Sequence, residues 1–421
     1  MLDLTYIIDH LDAVKTNIIN RGRDPKAMGL DALPKFVAEK KEVQQTFETK
    51  RAEQKKASKS KPTPEHITTM KVLAEEVKRL EHRVRELDAA IDHIVQHIPN
   101  MTHPDSPIGG EKDYTVIEER GTIPHFSFPA KDHEELLTAR DMIDFERGAK
   151  VAGSKFYYSK NDLVRLNMAL LHYGMDVLAN RGFDIFETPD LAKEEIARGA
   201  GFDPRGDEDQ TYTILHTDFS LIGTAEITML GYHANEVIDL STGPKKYAAL
   251  SHCFRKEAGA YGRTSKGLYR VHQFTKLEMF IFCTPKQSEA LHRELLDIEK
   301  EICDGLGIAY RVIDIPTGDL GGPAYRKFDL EAWMTMNAGG GEETGGYGEI
   351  TSTSNCTDYQ SRRLNIKYKT DTDKSAYVHT LNGTAVVLSR FPIAIIEQGQ
   401  QADGTIHIPK VLQPYMGKDH I

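Results

Sequence analysis

The chain has 421 residues, 39% hydrophobic and 28% charged, and its 63 acids against 53 Lys and Arg leave a formal charge of -10. That length accommodates two or three domains; no apolar run approaches the roughly 18 residues of a membrane span, and the start MLDLTYIIDHLD has no basic, cleavable leader, so a cytoplasmic protein without a membrane partner is expected. Cys253, Cys283, Cys303 and Cys356 are scattered without a CxxC pair, which excludes a disulfide framework, and the acidic total argues against non-specific coating of nucleic acid.

Leu4, Ile7, Leu11, Val14 and Ile18 recur at helical spacing and predict one short helix ended by Gly22. From Met70 the apolar residues Leu73, Val77, Leu80, Val84, Leu87, Ile91, Ile94 and Ile98 follow in an unbroken 3,4 alternation, which is a coiled-coil seam. Leu33, Phe36, Val43, Phe47 and Ala57 offer the partner, with polar Lys40, Lys50 and Gln54 at seam positions, so the pairing should loosen toward its far end. Pro62 and Pro64 in KSKPTPEH break the helix, and Thr63 can cap the next one. The prediction is an antiparallel helical hairpin roughly 50 Å long. Its tip collects Lys50, Arg51, Lys55, Lys56, Lys59 and Lys61 around Glu53, in a chain that is acidic overall. Such a cluster is either a solvated helix end or a contact for a phosphate backbone.

Past residue 100 the seam gives way to PNMTHPDSPIGGEKD, so residues 1–100 read as a helical domain, 101–133 as a linker, and 134–421 as a second domain. There LVRLNMALLHYGMDVLANRG predicts a long amphipathic helix, and FDIFETPDL a short strand stopped by Pro189. AALSHCFRKEAG and LYRVHQFTKLEMFIFC predict two strands joined by AYGRTSKG. A helix at 287–306, further strands and a helix near 390–401 complete an α+β domain on a mostly antiparallel sheet flanked by helices.

The common short motifs fail. GAYGRTSKGL has Leu268 where a phosphate loop needs lysine, NAGGGEETGGYG at 337–348 reads as a flexible loop, and the histidines do not cluster with the cysteines as zinc ligands. The second strand of the hairpin is more informative. At period two, Arg270, His272, Phe274, Lys276, Glu278, Phe280 and Phe282 share a face, and Cys253, Arg255 and Glu257 share one on its partner. Charges on a covered sheet face are costly unless paired or bound to a charged ligand; the choice is between a polar cleft and a solvated face.

FRKEAGAYGRTSKGLYRVHQFTKLE resembles motif 2 of the class II aminoacyl-tRNA synthetases in its seryl-tRNA synthetase form. LIGTAEI resembles that family's Thr-Ala-Glu loop, FDLEAWM with EITSTSNCTDYQSRR its metal-binding and substrate strands, and LNGTAVVLSRFPIAIIEQGQQADGTIHIPKVLQPYMG its motif 3 and tail. The helical hairpin is similar to its tRNA-binding arm, so the resemblance spans essentially the whole chain.

The resemblance implies a ligase of protein biosynthesis that activates L-serine with ATP and transfers it to tRNA(Ser); whether tRNA(Sec) is charged too stays open. It implies catalytic Arg255 and Arg390, and serine held by Thr224, Glu226, Arg255, Glu278, Asn382 and Thr384. ATP would be bound by Arg255, Glu257, Arg270, His272, Phe274, Glu349, Ser352 and Arg390, with Mg2+ on Glu349 and Ser352. The basic tip, Lys50, Arg51, Lys55, Lys56, Lys59 and Lys61, would contact tRNA in a homodimer. Ser389 and Phe391 to Ile393 depart from the family's motif 3, as does the length of the glycine-rich segment. An amino-acid:carrier-protein ligase and a non-catalytic paralogue are the alternatives; the first lacks such an arm, and the second usually loses one of Arg255, Glu278 and Arg390.

Overall fold

The computed structural model describes residues 1–59, 63–202, 210–257, 267–337, 345–370, 372 and 374–421. The chain folds as two compact units, Met1–Met101 and Thr102–Ile421.

In the first unit the single helix predicted at the start is two, α1 (Leu4–Asp9) and α2 (Leu11–Asn20), parted at His10. Asp3 caps α1 by accepting from the backbone N–H groups of Thr5 and Tyr6. Ile7, Val14 and Ile18 stay buried together across the break, which is why their spacing conceals it. The arm is α3 (Leu33–Ala57) against α4 (Pro64–His97). Thr63 caps α4, and Pro64 occupies its first turn, where a missing N–H costs nothing. Leu87, Ile91, Ile94 and Ile98 are buried, whereas Met70, Leu73, Val77 and Leu80 are only half-buried, so the seam thins toward the tip. Two of the polar seam positions, Lys40 and Lys50, are bridged across the hairpin, and a further ion pair crosses beside the seam. Lys40 pairs with Asp88, Lys50 lies 3.4 Å from Glu76, and Arg83 lies 2.6 Å from Glu39.

The second unit is built on eight strands: β1 (Thr115–Arg120), β4 (Asp184–Glu187), β8 (Lys245–Phe254), β9 (Gln273–Cys283), β10 (Tyr310–Asp314), β11 (Arg326–Met334), β12 (Gly346–Thr357) and β15 (His379–Val387). Their order is β1-β10-β11-β12-β15-β9-β8-β4, antiparallel except for β4 beside β8. The stretch 101–133 is therefore more than a linker, because β1 closes one sheet edge through the β-branched run Thr115, Val116 and Ile117. Small sheets join β2 (Ile143–Asp144) to β3 (Tyr158–Ser159), β5 (Leu191–Lys193) to β6 (Phe219–Leu221), and β7 (Val237–Ile238) to β13 (Lys367–Lys369) and β14 (Ser375–Tyr377).

Helices α5 (His133–Ala139) and α6 (Phe145–Ala152) lead into α7 (Asn161–Asn180), with α8 (Glu194–Ala200) and α9 (Ala225–Tyr232) after it. Then come α10 (Ser288–Leu306), α11 (Tyr359–Leu364), α12 (Phe391–Gly399) and α13 (Gln413–Met416). Leu166 and Leu170 of α7, Leu295 and Ile302 of α10, and Ile393 of α12 pack with Leu277, Met279 and Ile281 of β9. On the other face Ala197 of α8, Ile227 and Leu230 of α9 and Leu364 of α11 pack with Phe280 and Phe282. This second cover reaches only the Phe280 end of β9, and the charged half of the same face is left for a cleft.

Candidate active site

β9 supplies the floor. Because its side chains alternate, Lys276 and Glu278 share a face with Phe280 and Phe282, but only the phenylalanines are roofed by α8, α9 and α11. Lys276 and Glu278 are 6% and 3% exposed, so each needs a partner. Lys276 Nζ lies 2.8 Å from Glu278 Oε1 and donates to Thr224 Oγ1 at 2.8 Å. Thr224 is the N-cap of α9 and donates to Glu278 Oε2, which also accepts from the Glu226 backbone N–H at 3.2 Å. Glu278 thus sits at the helix start, where carboxylates are favoured.

Glu226, in the first turn of α9, is the second acid. Its Oε1 accepts from Gln360 Nε2 at 2.5 Å and Asn382 Nδ2 at 2.9 Å. Gln360 is held in turn, donating to Ala200 O and accepting from Thr380 Oγ1 at 2.7 Å. Burial, and then the neighbouring Glu278, push the Glu226 carboxyl up to about 7. Thr384 faces Glu278 across the β15 and β9 pairing.

The other end of the cleft is cationic. Past the end of β8 the Arg255 guanidinium lies 5.3 Å over the Phe274 ring, and its Nε donates to Gly223 O at 3.2 Å. Glu257 adopts a left-handed backbone, φ 46, as the chain leaves the hairpin, and pairs with Arg270 at 3.7 Å. Arg390, at the start of α12, bonds Glu349 twice, to its carbonyl at 3.1 Å and its carboxylate at 2.9 Å. The guanidinium stacks 4.9 Å over Tyr269, whose hydroxyl donates to the same carbonyl at 3.1 Å. Pro392 fits the first turn of α12, so the departures in this segment leave Arg390 well packed. Burial raises Glu349, but Arg390, Lys327 and Arg255 outweigh it and hold the carboxyl below its usual range. Beside Ser352, Asp329 is 4% exposed and pushed up to about 7 by burial, with Oδ1 lacking a hydrogen-bond partner.

The two ends form one open cleft of about 760 Å³, the solvent at its mouth included. Thr224, Glu226, Glu278, Asn382 and Thr384 line one part, and Arg255, Glu257, Arg270, Phe274, Glu349, Ser352 and Arg390 the rest. His272 is the exception. It is absent from the lining; its ring packs 5.2 Å from Phe156, and its Nδ1 donates to Arg255 O at 2.9 Å. It braces Arg255 from behind, because Arg270 and His272 precede β9 and the alternation predicted for them does not hold. Cys253 likewise turns into the apolar core, where burial pushes its thiol up. Sequence reasoning gave no role to Lys276, Tyr269 or Gln360, although Lys276 was legible on the charged face. On the arm, Arg51, Lys55, Lys56 and Lys59 are exposed, while Lys50 is engaged by Glu53 and Glu76. Lys61, the hairpin loop at 258–266 and the glycine-rich residues 338–344 lie outside the described residues.

Residues 1–102 match the family model of the seryl-tRNA synthetase N-terminal domain, and residues 212–399 that of the tRNA synthetase class II core domain for G, H, P, S and T. The serine–tRNA ligase of Treponema denticola is 49% identical over 427 residues, covering all of both chains. The chain belongs to the seryl-tRNA synthetase family. Another serine–tRNA ligase, from Dictyoglomus turgidum, is 46% identical over all of this chain and 99% of its own. Among solved structures, the Pyrococcus horikoshii seryl-tRNA synthetase complexed with ATP superposes with a TM-score of 0.91 at 36% identity, over 100% of this chain and 99% of that one. The cytoplasmic serine–tRNA ligase of Naegleria fowleri in complex with AMP gives 0.86 at 30%, over 100% and 98%. The seryl-tRNA synthetase arm and the class II core thus both have counterparts here. Among the described residues no helix is long and apolar enough to cross a membrane.

Proposed function

We propose that the protein activates L-serine with ATP to seryl-adenylate in this cleft and transfers the seryl group to the 3′ end of tRNA(Ser). The observation that carries the reading is the convergence of an acidic pocket and a cationic trough in one cleft. An ammonium and a hydroxyl suit the first, and a carboxylate meeting a triphosphate suits the second. Serine enters with its ammonium toward Thr224, Glu226 and Glu278, taking over contacts that Lys276 holds in the free protein. Glu278 and Thr384 take its hydroxyl. An amino acid without a hydroxyl leaves those buried groups unpaired, a mismatch worth about 10⁴ in discrimination where it is complete.

The serine carboxylate attacks the α-phosphorus and pyrophosphate leaves. The nucleophile is already ionised, so no general base is needed, and catalysis consists of positioning and charge neutralisation. Arg255, stacked on Phe274 and tethered to Gly223, is oriented before substrate arrives. Its planar fork suits a bridge between the carboxylate and the α-phosphate. Phe274 offers a face for adenine, Glu257 its edge contact, and Arg270 and Arg390 charge for the outer phosphates.

Magnesium fits the residues present. Glu349 and Ser352 give an oxygen-only set for a hard cation bound mainly through ATP, and the unpartnered Asp329 Oδ1 beside Ser352 suits a polar group in that place. When bound, the ion neutralises phosphate charge.

The exposed cations of α3 are proposed to contact tRNA phosphates, in a cytoplasmic homodimer; the same reading extends to tRNA(Sec) if the arm accepts its shape. The test is serine-dependent ATP–pyrophosphate exchange against alanine, glycine and threonine, followed by charging of tRNA(Ser). Exchange selective for serine is expected, and an absence of serine-dependent exchange in folded protein would overturn the reading.

A further inference from the structure

Where β12 and β15 part, one carboxyl joins them. The strands pair antiparallel from Thr357 and Thr380 to Thr353 and Gly383, and the ladder stops there. Past the fork β12 carries Ser352 and Glu349, and β15 carries Thr384 on its way to Arg390, so the cleft opens through the fork. Both strands are irregular at this level. The register of β12 with β11 shifts between Leu330 and Glu331, and that of β15 with β9 between Thr384 and Val386. A bulge leaves a backbone group without its ladder partner. Here the Thr384 N–H donates to Glu299 Oε1 at 3.1 Å, while Thr351 Oγ1 donates to Glu299 Oε2 at 2.9 Å.

Glu299 belongs to α10, on the opposite face of the sheet, and is fully buried. A Cβ at Gly383 would stand 3.1 Å from Glu299 Oε1, and as close to Met279 Cε and Thr353 Oγ1, so the bare backbone there eases the carboxyl's approach. Burial pushes that carboxyl well above its usual range, the nearby acids Asp329 and Glu349 adding to the effect. A buried carboxyl that accepts from two strands suits a structural bracket.

We infer that Glu299 is a positioning residue for serine selectivity: by fastening the Thr384 backbone to Thr351 it holds the Thr384 hydroxyl against Glu278. It does so without touching substrate. The inference rests on the serine-activating reading above. If the bracket loosens, Thr384 recedes and the pocket's demand for a hydroxyl weakens, while Phe274 on β9 and Arg255 and Arg270 in the flanking segments of that hairpin keep their hold on ATP.

The test compares wild type with Glu299→Leu, Glu299→Gln, Thr351→Val and Gly383→Ala, using pyrophosphate exchange with serine and with alanine. Glu299→Leu is expected to raise the serine KM about tenfold and lower the serine-to-alanine preference about tenfold, with the ATP KM within about twofold. Glu299→Gln keeps an acceptor for the Thr384 N–H, and its amide can donate to Thr351 Oγ1 with that bond's direction reversed, so it should stay within about threefold of wild type. Thr351→Val and Gly383→Ala should shift serine in the same direction by less. Unchanged serine parameters in Glu299→Leu overturn the inference, as do serine and ATP constants that rise together; should that variant not fold, unchanged selectivity in both Thr351→Val and Gly383→Ala does so. Absence of exchange in wild type would instead strike the proposed function. The bracket is then judged by hydrogen exchange of the peptide spanning 380–388, which must quicken in Gly383→Ala if Glu299 holds it.

Discussion

Lys276 and Glu278, neighbours on one face of β9, form a buried ion pair at 2.8 Å in the pocket proposed for the serine ammonium. The lysine's charge offsets Glu278 in the free protein, and its displacement is part of what serine binding costs.

Replacing Lys276 with Met leaves Glu278 and Glu226 without that cation. Breaking such a pair costs about 3–5 kcal/mol, less where Glu226, raised to about 7, is protonated. The melting temperature should fall, more above about pH 7 than below it. Serine, whose ammonium restores the charge, should raise the variant's melting temperature more than wild type's. Thermal melts with and without serine check this; equal serine shifts would count against it.

Glu226, raised to about 7, gives a pH dependence of stated sign. A carboxyl whose folded value exceeds its unfolded one favours folding below the unfolded value, and this contribution is lost as pH rises from about 4.5 through 7. Gln at 226 can still accept from Gln360 and Asn382 without carrying charge. Glu226→Gln should therefore raise stability above pH 7 by on the order of 1–3 kcal/mol and leave it unchanged near the unfolded value, while weakening serine. In wild type, serine affinity should fall as pH drops through about 7, with proton release on binding. Calorimetry in buffers of differing ionisation enthalpy measures that proton.

The arm was legible because an unbroken 3,4 seam has few structural alternatives, and Thr63 and Pro64 carry their own start signal. The charged face of β9 was legible at Lys276 and Glu278, where the strand is regular, and misleading at His272, where it has not begun. β1 was hidden because the Pro and Gly around it outweigh its three β-branched residues. Gln360 and Glu299 could not be found this way. Their roles come from partners far away in sequence, Glu226 and Thr384, and periodicity carries no such information.

His133 and Glu397 pair at zero exposure beneath the hairpin exit. The Leu268 N–H donates to His133 Nε2 at 3.0 Å, so the ring's proton lies on Nδ1, toward Glu397 at 2.7 Å. Leu268 precedes Tyr269, which carries the Arg390 stack. His133→Ala should cost about 2–4 kcal/mol of stability and raise the KM for ATP more than that for serine. Denaturant unfolding and exchange kinetics test both parts.

On the arm, Lys55→Gln, Lys56→Gln and Lys59→Gln should weaken tRNA charging and leave pyrophosphate exchange intact. Each lost phosphate contact should lower the salt slope of tRNA binding by about 1. Lys50→Gln should matter less, because Glu76 and Glu53 already engage that ammonium. Filter binding across a salt series separates the two cases.

The central claim, that Arg255 brings a serine carboxylate and an α-phosphate together in this cleft, is tested most directly by serine-dependent pyrophosphate exchange in wild type and Arg255→Ala. Exchange in wild type and its loss by about a thousandfold or more in a folded variant is the predicted result. Exchange that persists in Arg255→Ala with only a raised KM for ATP would contradict it.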